Sequence, residues 1–208
     1  MWKCSPWTFF PILYSLFTAA GLWVVWDGYK DPPYISNAGD APPASCVFSQ
    51  VMNMAAFGGF ILGVLRYLQL KQCPCGNVGS LLVISLACIG MTLVGNFQLS
   101  NHLTLHDVGS RMAFGLSMLY CWVQSVITLK AEGRSIVAIL RFLMSAAVTI
   151  CMLLYFSLPV HGNLMHGARA QWALVMLFLL FLSSFAFELR HYHFQIDCMD
   201  DREQPHSH

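Results

Sequence analysis

Charged residues are scarce in this sequence: 10% of its 208 residues are Asp, Glu, Lys or Arg, against 57% hydrophobic. A water-soluble domain carries about 25% charged residues, and a mean hydropathy of +0.59 points the same way. An ordinary soluble globule is therefore excluded. The net charge is only +1, so there is no electrostatic footprint for nucleic acid or for an acidic soluble partner. Alternating segments of about ten residues, which a membrane β-barrel needs, are missing. No HExxH or Ser/His/Asp arrangement stands out, and His161 and His166 are the nearest approach to acid–base groups at a membrane surface. The expectation is a protein that is not an enzyme and uses no cofactor or metal. An arginine ladder and an acidic stripe are also missing, which argues against a voltage sensor or a self-sufficient cation filter. No solenoid repeat is visible.

What is present is a series of apolar runs of roughly twenty residues, the length that crosses a hydrocarbon core about 30 Å thick. They cover Thr8 to Trp26, Val47 to Leu68, Val78 to Phe97, Val108 to Leu129, Ile136 to Leu158 and Ala168 to Phe187. Where water is absent, a helix satisfies its own backbone N–H and C=O groups. The fold expected is an all-α membrane protein, a bundle of six transmembrane helices over residues 1–190, with a short, polar, disordered tail over 191–208. The first run also carries Lys3 and small residues suited to signal cleavage, but its apolar stretch continues through Leu22 to Trp26 beyond any such site. Cleavage would leave the other five helices oriented as before.

Basic residues set the orientation. With the N-terminus inside, Lys3, Arg66, Lys71, Lys130, Arg134, Arg141, Arg190 and Arg202 fall on the cytoplasmic side, and only Lys30, Arg111 and Arg169 fall outside. Both termini are therefore expected in the cytoplasm. Trp2, Trp7, Trp23, Trp26 and Tyr34 lie near expected interfaces, where amphipathic rings settle. The longest connector, Asp27 to Cys46, is extracellular in this topology. Pro32, Pro33, Pro42 and Pro43 fix φ and remove donors, so it is expected to be an ordered loop of extended and turn structure resting on the outer helix ends.

Several residues are candidates for more than packing. Gln50, Asn53, Asn96, Gln98 and Gln124 are amides within apolar runs, where a polar group needs a partner or a cavity. Asn53, Asn96 and Gln98 fall in the outer halves of two runs. They either line a lipid-headgroup or ion-accessible cavity, or hydrogen-bond across helices and cap the loop. Glu188 and Arg190, at the inner end of the last run, are placed to meet Arg66 or Arg141 in an interfacial ion pair at the cytoplasmic surface. Asp107 and Arg111 have the four-residue spacing of a local pair. Gly59 and Gly63 form a GxxxG that permits close helix approach.

Of eight cysteines, Cys46 is the one in the outer loop, and Cys151 is its conceivable disulfide partner. Cys73 and Cys75 flank Pro74 in a cytoplasmic connector, the usual setting for S-palmitoylation. A structural zinc needs four ligands, and no second pair lies nearby. His102, His106, His161 and His166 all fall in outer connectors, where histidine can respond to lumenal pH.

The stretch PPYISNAGDAPPASCVFSQVMNMAAF, Pro32 to Phe57, carries a Tyr-Ile-Ser turn (Tyr34, Ile35, Ser36), then Gly39, Pro42, Pro43, Ser45, Cys46, Phe48, Ser49, Asn53 and Met54. VGNFQ, Val94 to Gln98, and FELRHY, Phe187 to Tyr192, follow later. Together these resemble the damage-regulated autophagy modulator and transmembrane-150 family, and the wording from Lys3 to about Ile196 is most similar to its tentonin (transmembrane protein 150C) branch. One departure is the short WDGYKDP between Val25 and Pro33, where the family carries a longer outer loop. The resemblance implies a multi-pass protein of the plasma membrane and the endosome or lysosome. It implies a component or modulator of mechanically activated cation currents, acting alone or on another mechanosensitive channel. Sister branches imply autophagy regulation or the placing of a phosphatidylinositol 4-kinase complex at the plasma membrane, and distant relatives imply GPI-anchor lipid remodelling. The partners implied are the lipid bilayer and membrane lipids.

Overall fold

The computed structural model describes residues 5–26, 33–70, 74–133 and 135–190. Outside them lie residues 27–32 of the expected outer loop, Cys73 of the cysteine pair, and the tail expected over 191–208. Every regular element among the described residues is helical. The elements are α1 (Phe9–Val25), α2 (Ile35–Ala38), α3 (Ala44–Gln69), α4 (Pro74–Asn96), α5 (Leu103–Glu132), α6 (Ile136–Ser157), α7 (Leu164–Ser183) and α8 (Ala186–Leu189). Five are long and apolar enough to cross a bilayer, and α1 is a shorter apolar helix. The chain is thus a multi-pass helical membrane bundle, as its apolar runs require. "Outer" and "inner" below follow the orientation read from the basic residues.

Each long helix packs on its successor, α1 on α3, then α4, α5, α6 and α7, and α7 returns to α1 to close a ring. Large apolar side chains such as Val24, Phe57, Leu82, Leu143, Leu153 and Leu180 are left exposed on the outside of that ring. In water so much apolar surface would drive association, whereas hydrocarbon receives it without cost. Inside, one core runs from Tyr14 through Ala55, Leu62, Ala87, Tyr120 and Phe181 to Leu189. A second, outer core gathers Leu22, Val25, Ile35, Phe48, Val51 and Val94 beneath the loop.

Local chemistry sets the helix ends. Ser135 caps α6, its hydroxyl accepting from the Ala138 N–H at 3.1 Å. Pro159 opens the 3₁₀ turn after α6, and Gly162, at φ 79°, closes it in the left-handed region open to glycine. The last apolar run is not one helix. Ser183 and Ser184 turn their hydroxyls back onto the Leu180 and Phe181 carbonyls, at 2.7 and 2.6 Å, where α7 ends and α8 departs. Such back-bonding by serine competes with the helical ladder and bends it.

The closest backbone approach lies between α4 and α5. A Cβ on Gly90 would sit 2.6 Å from the Ala113 nitrogen, and one on Gly109 would sit 2.8 Å from the Leu93 Cβ. The GxxxG glycines serve contacts within the same chain: a Cβ on Gly59 would meet Tyr14 and Cys88, and one on Gly63 would meet Ile84. Backbone atoms yield less readily than side-chain ends, so Gly90→Leu is expected to cost about 1–3 kcal/mol or more. The check is thermal unfolding of the detergent-solubilised protein: Gly90→Leu lowers the midpoint, while Gly115→Ala, with nothing within 4 Å of its Cβ, leaves it in place.

Candidate functional site

At the inner end, five elements converge on three charges. Arg66 of α3 is 2% exposed and Arg141 of α6 is 0% exposed. Between them lies Glu188 of α8, its side chain 8% exposed. Arg141 grips both carboxylate oxygens through Nη1 and Nη2, and Arg66 Nη2 reaches Oε1 at 2.9 Å. The remaining guanidinium donors are used as well. Arg66 Nε donates to Gln124 Oε1 at 3.0 Å, and Arg66 Nη1 donates to Gln69 Oε1 at 3.0 Å. Arg141 Nε donates to the Ser184 hydroxyl at 3.0 Å, and Arg141 Nη1 donates to Thr128 Oγ1 at 2.6 Å. Gln124 passes the chain on to Ser80 of α4 at 2.6 Å. The Phe185 ring lies 5.0 Å from the Arg66 guanidinium carbon and 4.5 Å from that of Arg141, a cation–π contact with each. The pair expected at the surface is thus a buried cluster. Just before Glu188 the helical ladder tightens at Ser184 and Phe185 into i→i−3 hydrogen bonds, Phe185 N–H to the Leu182 carbonyl and Glu188 N–H to the Phe185 carbonyl, so α8 is offset in register from α7 where it meets the two arginines.

At the outer end the Pro-rich loop is tied to α7, to α5 and to the connector between α4 and α5. The Ile35 N–H donates to Gln171 Oε1 of α7 at 2.8 Å, and Trp172 Nε1 donates to the Pro33 carbonyl at 3.1 Å. Asp40 Oδ1 accepts from the Ser100 N–H at 2.8 Å. His106, 2% exposed, joins the first turn of α5 to both the loop and the end of α4. A carbonyl only accepts, so His106 Nδ1 donates to the Phe97 oxygen at 2.8 Å, and in the neutral ring Nε2 accepts from the Ser36 hydroxyl at 3.0 Å. Gly39 lies against Phe48, whose ring carbon would be 2.4 Å from a Cβ placed there. The loop therefore contains one helical turn, α2, in place of wholly extended and turn structure.

Two spaces that share part of their lining lie against this loop. A cavity of about 80 Å³, walled by residues such as Thr18, Phe48, Met91, Val148 and Leu174, occupies the interior of the ring. A vestibule of about 490 Å³ is bordered by Tyr34, Asn37, Asp107, Arg111, Tyr155 and Phe156. Ser36, Ser110 and Gln171 border both.

Of the residues singled out in the sequence, Tyr34 and Ser36 line the vestibule, and Ile35 and Ser36 line the cavity. Ser45 is buried, and Pro42, Pro43 and Cys46 are exposed. Asn53 and Asn96 border neither space. They form a clasp between α3 and α4, with Asn53 Nδ2 donating to Asn96 Oδ1 at 3.0 Å and Asn96 Nδ2 returning to Asn53 Oδ1 at 3.1 Å. Ser49 donates to the same Asn96 oxygen at 2.9 Å. Gln98 accepts from Asn101 Nδ2 at 3.4 Å, outside both spaces. Asp107 and Arg111 do not form the local pair that their spacing allows; among the described residues the ion pairs are those of Glu188. Arg190 is exposed at the end of α8. Cys46 and Cys151 carry free thiols, so the disulfide is not formed. Cys75 is exposed beside a groove of about 490 Å³ that Trp122, Val126 and Lys130 also line. No group of three metal-ligating side chains occurs among the described residues.

The described residues of the signature loop, the VGNFQ segment at the end of α4 and Phe187–Arg190 of the FELRHY segment thus lie at the two ends of one bundle. The family model described as the Frag1/DRAM/Sfk1/Cwh43P N-terminal domain matches residues 3–192. The chain belongs to this family. Among Frag1/DRAM/Sfk1 relatives, the modulator of macroautophagy TMEM150B of Xenopus tropicalis is 31% identical over 92% of this chain and 88% of its own length. Human TMEM150B is 30% identical over 82% of this chain and 81% of its own. Human transmembrane protein 150A is 32% identical over 76% of this chain and 62% of its own. No solved structure matches.

The inner cluster yields a prediction for this Frag1/DRAM/Sfk1 chain. Glu188→Gln leaves two guanidiniums facing each other without a counter-charge, a loss of about 3–5 kcal/mol for a broken buried pair. Replacing all three charges together, as Arg66→Met/Arg141→Met/Glu188→Leu, removes the burial cost along with the attraction. Denaturant unfolding in mixed micelles is expected to show the single variant less stable than the triple.

Proposed function

We propose that this chain is a non-enzymatic, multi-pass membrane regulator that modulates macroautophagy, acting at plasma and endolysosomal membranes. The observation that carries the reading is alignment with proteins named modulators of macroautophagy across 92% of the chain, through the loop, the ring of helices and the inner cluster. The disposition of polar groups supports a regulator over a catalyst. Arg66, Arg141, Glu188, Gln124, Asn53 and Asn96 bond to one another and hold helices together, and none is left poised against an open reactive group. A chain built this way acts through what its surfaces and ends hold, including lipids and a phosphoinositide-kinase complex at the inner loops.

A second reading, modulation of mechanically activated cation currents, is supported by the tentonin-like wording of the signature loop and of FELRHY. In it the chain acts on another channel, because the cavity inside its own ring has mostly apolar walls and dry apolar walls oppose ion entry.

Deleting the gene in cells and measuring autophagic flux alongside stretch-evoked currents separates the two. The macroautophagy reading expects altered flux that returns with the wild-type chain, and unchanged currents. Unaltered flux with diminished currents would replace it with the second reading.

A further inference from the structure

The vestibule has a feature that neither reading uses. Asp107 and Arg111 stand one helical turn apart on α5, both exposed at its border, and neither pairs with a described residue. Two opposite charges at this spacing ordinarily attract across the turn. Here the two are not paired, which leaves a carboxylate and a guanidinium side by side at the border of the vestibule.

Three aromatic rings share the same space. The Tyr155 ring lies 6.1 Å from that of Tyr34 and 4.7 Å from that of Phe156, and all three residues border the vestibule. Asp107 is close enough to Tyr155 to act on it electrostatically. An anionic carboxylate beside aromatic rings is the chemistry that receives a quaternary ammonium.

The third observation is the Arg111 guanidinium at the same border, exposed and able to present two N–H donors to a phosphate. The Tyr34 hydroxyl is closed off from such a ligand: it is buried and packed against Gly167, where a Cβ would lie 2.4 Å from its oxygen, so Tyr34 borders the vestibule through its ring.

We propose that the vestibule is a binding site for a zwitterionic phosphocholine group, with the phosphate held by Arg111 and the ammonium held by Asp107 and the Tyr155 and Phe156 rings. The source is the headgroup of an outer-leaflet phospholipid. Anionic lipids concentrate in the cytoplasmic leaflet, and a neutral pair of opposite charges matches the leaflet the vestibule faces. The acyl chains lie in the bilayer against the exposed apolar surface of α6, where Leu153 and Leu154 project. The inference does not depend on the macroautophagy reading.

The test is calorimetric titration of the full chain in detergent with dihexanoylphosphatidylcholine below its micellar concentration. Dihexanoylphosphatidylglycerol, which lacks the cation, and free phosphocholine, which lacks the chains, run in parallel. The site predicts saturable binding of the choline lipid, with the glycerol lipid weaker by about tenfold or more. Asp107→Asn and Arg111→Gln are each expected to weaken binding about tenfold, the scale of one lost charge-assisted contact. Arg190→Gln, at the opposite end, leaves it unchanged. Both vestibule substitutions are at exposed positions, and an unaltered unfolding midpoint shows that the fold persists; should it fall, Phe156→Leu supplies the same test through the ring. Phosphocholine binding as tightly as the lipid keeps the chemistry and moves the source to a soluble zwitterion. Equal binding of the two lipids, or wild-type affinity in Asp107→Asn and Arg111→Gln, overturns the proposal.

Discussion

Two guanidiniums and one carboxylate are enclosed at the inner end of the bundle, where neither water nor lipid can stabilise them. Removing an ion from water costs several kcal/mol, recovered only when geometry is good and every remaining donor is satisfied. That requirement accounts for the convergence of α3, α4, α5, α6 and α8 on one point. Gln124 and Thr128 lie one turn apart on α5 and meet Arg66 together, and Ser184 meets Arg141 from the break before α8. Because helices in a bilayer gain little from hiding apolar surface from lipid, polar contacts of this kind and close glycine packing carry much of the specificity of their association.

The outer end obeys the same rule with neutral groups. Gln171 and Trp172 of α7 supply partners to the loop backbone at Ile35 and Pro33, and His106 of α5 holds the Ser36 hydroxyl. The Asn53–Asn96 clasp closes α3 on α4 from the flank. With both ends fixed, the ring encloses a small apolar space and leaves its charged vestibule to the outer surface.

Much of this architecture was legible in the sequence, because apolar runs of spanning length allow one backbone solution in hydrocarbon. Glu188, Arg66 and Arg141 were identifiable as partners. Their burial was not, since a long charged side chain near a helix end ordinarily extends to the headgroups. The missing fact was the break at Ser184, which apolar periodicity conceals because Ser183 and Ser184 are compatible with an intact helix. Asn53 and Asn96 were visible as costly polar groups, yet the sequence left open whether they faced each other or a cavity. His106 was placed in an outer connector as a histidine able to respond to lumenal pH, whereas it lies in the first turn of α5, and only the tertiary path of the Tyr-Ile-Ser turn brings Ser36 to it. Gly90 and Gly109 escaped notice for a related reason: the close approach is shared between two helices and forms no motif on either.

An experimental structure of the chain in a lipid nanodisc, resolved well enough to place the Glu188 carboxylate, tests the central claim most directly. The account predicts that carboxylate enclosed between Arg141 and Arg66, with the Phe185 ring against both guanidiniums and the helical ladder interrupted at Ser184. A continuous helix through Ser184 that carries Glu188 out to the headgroups, with the two arginines apart, would contradict it.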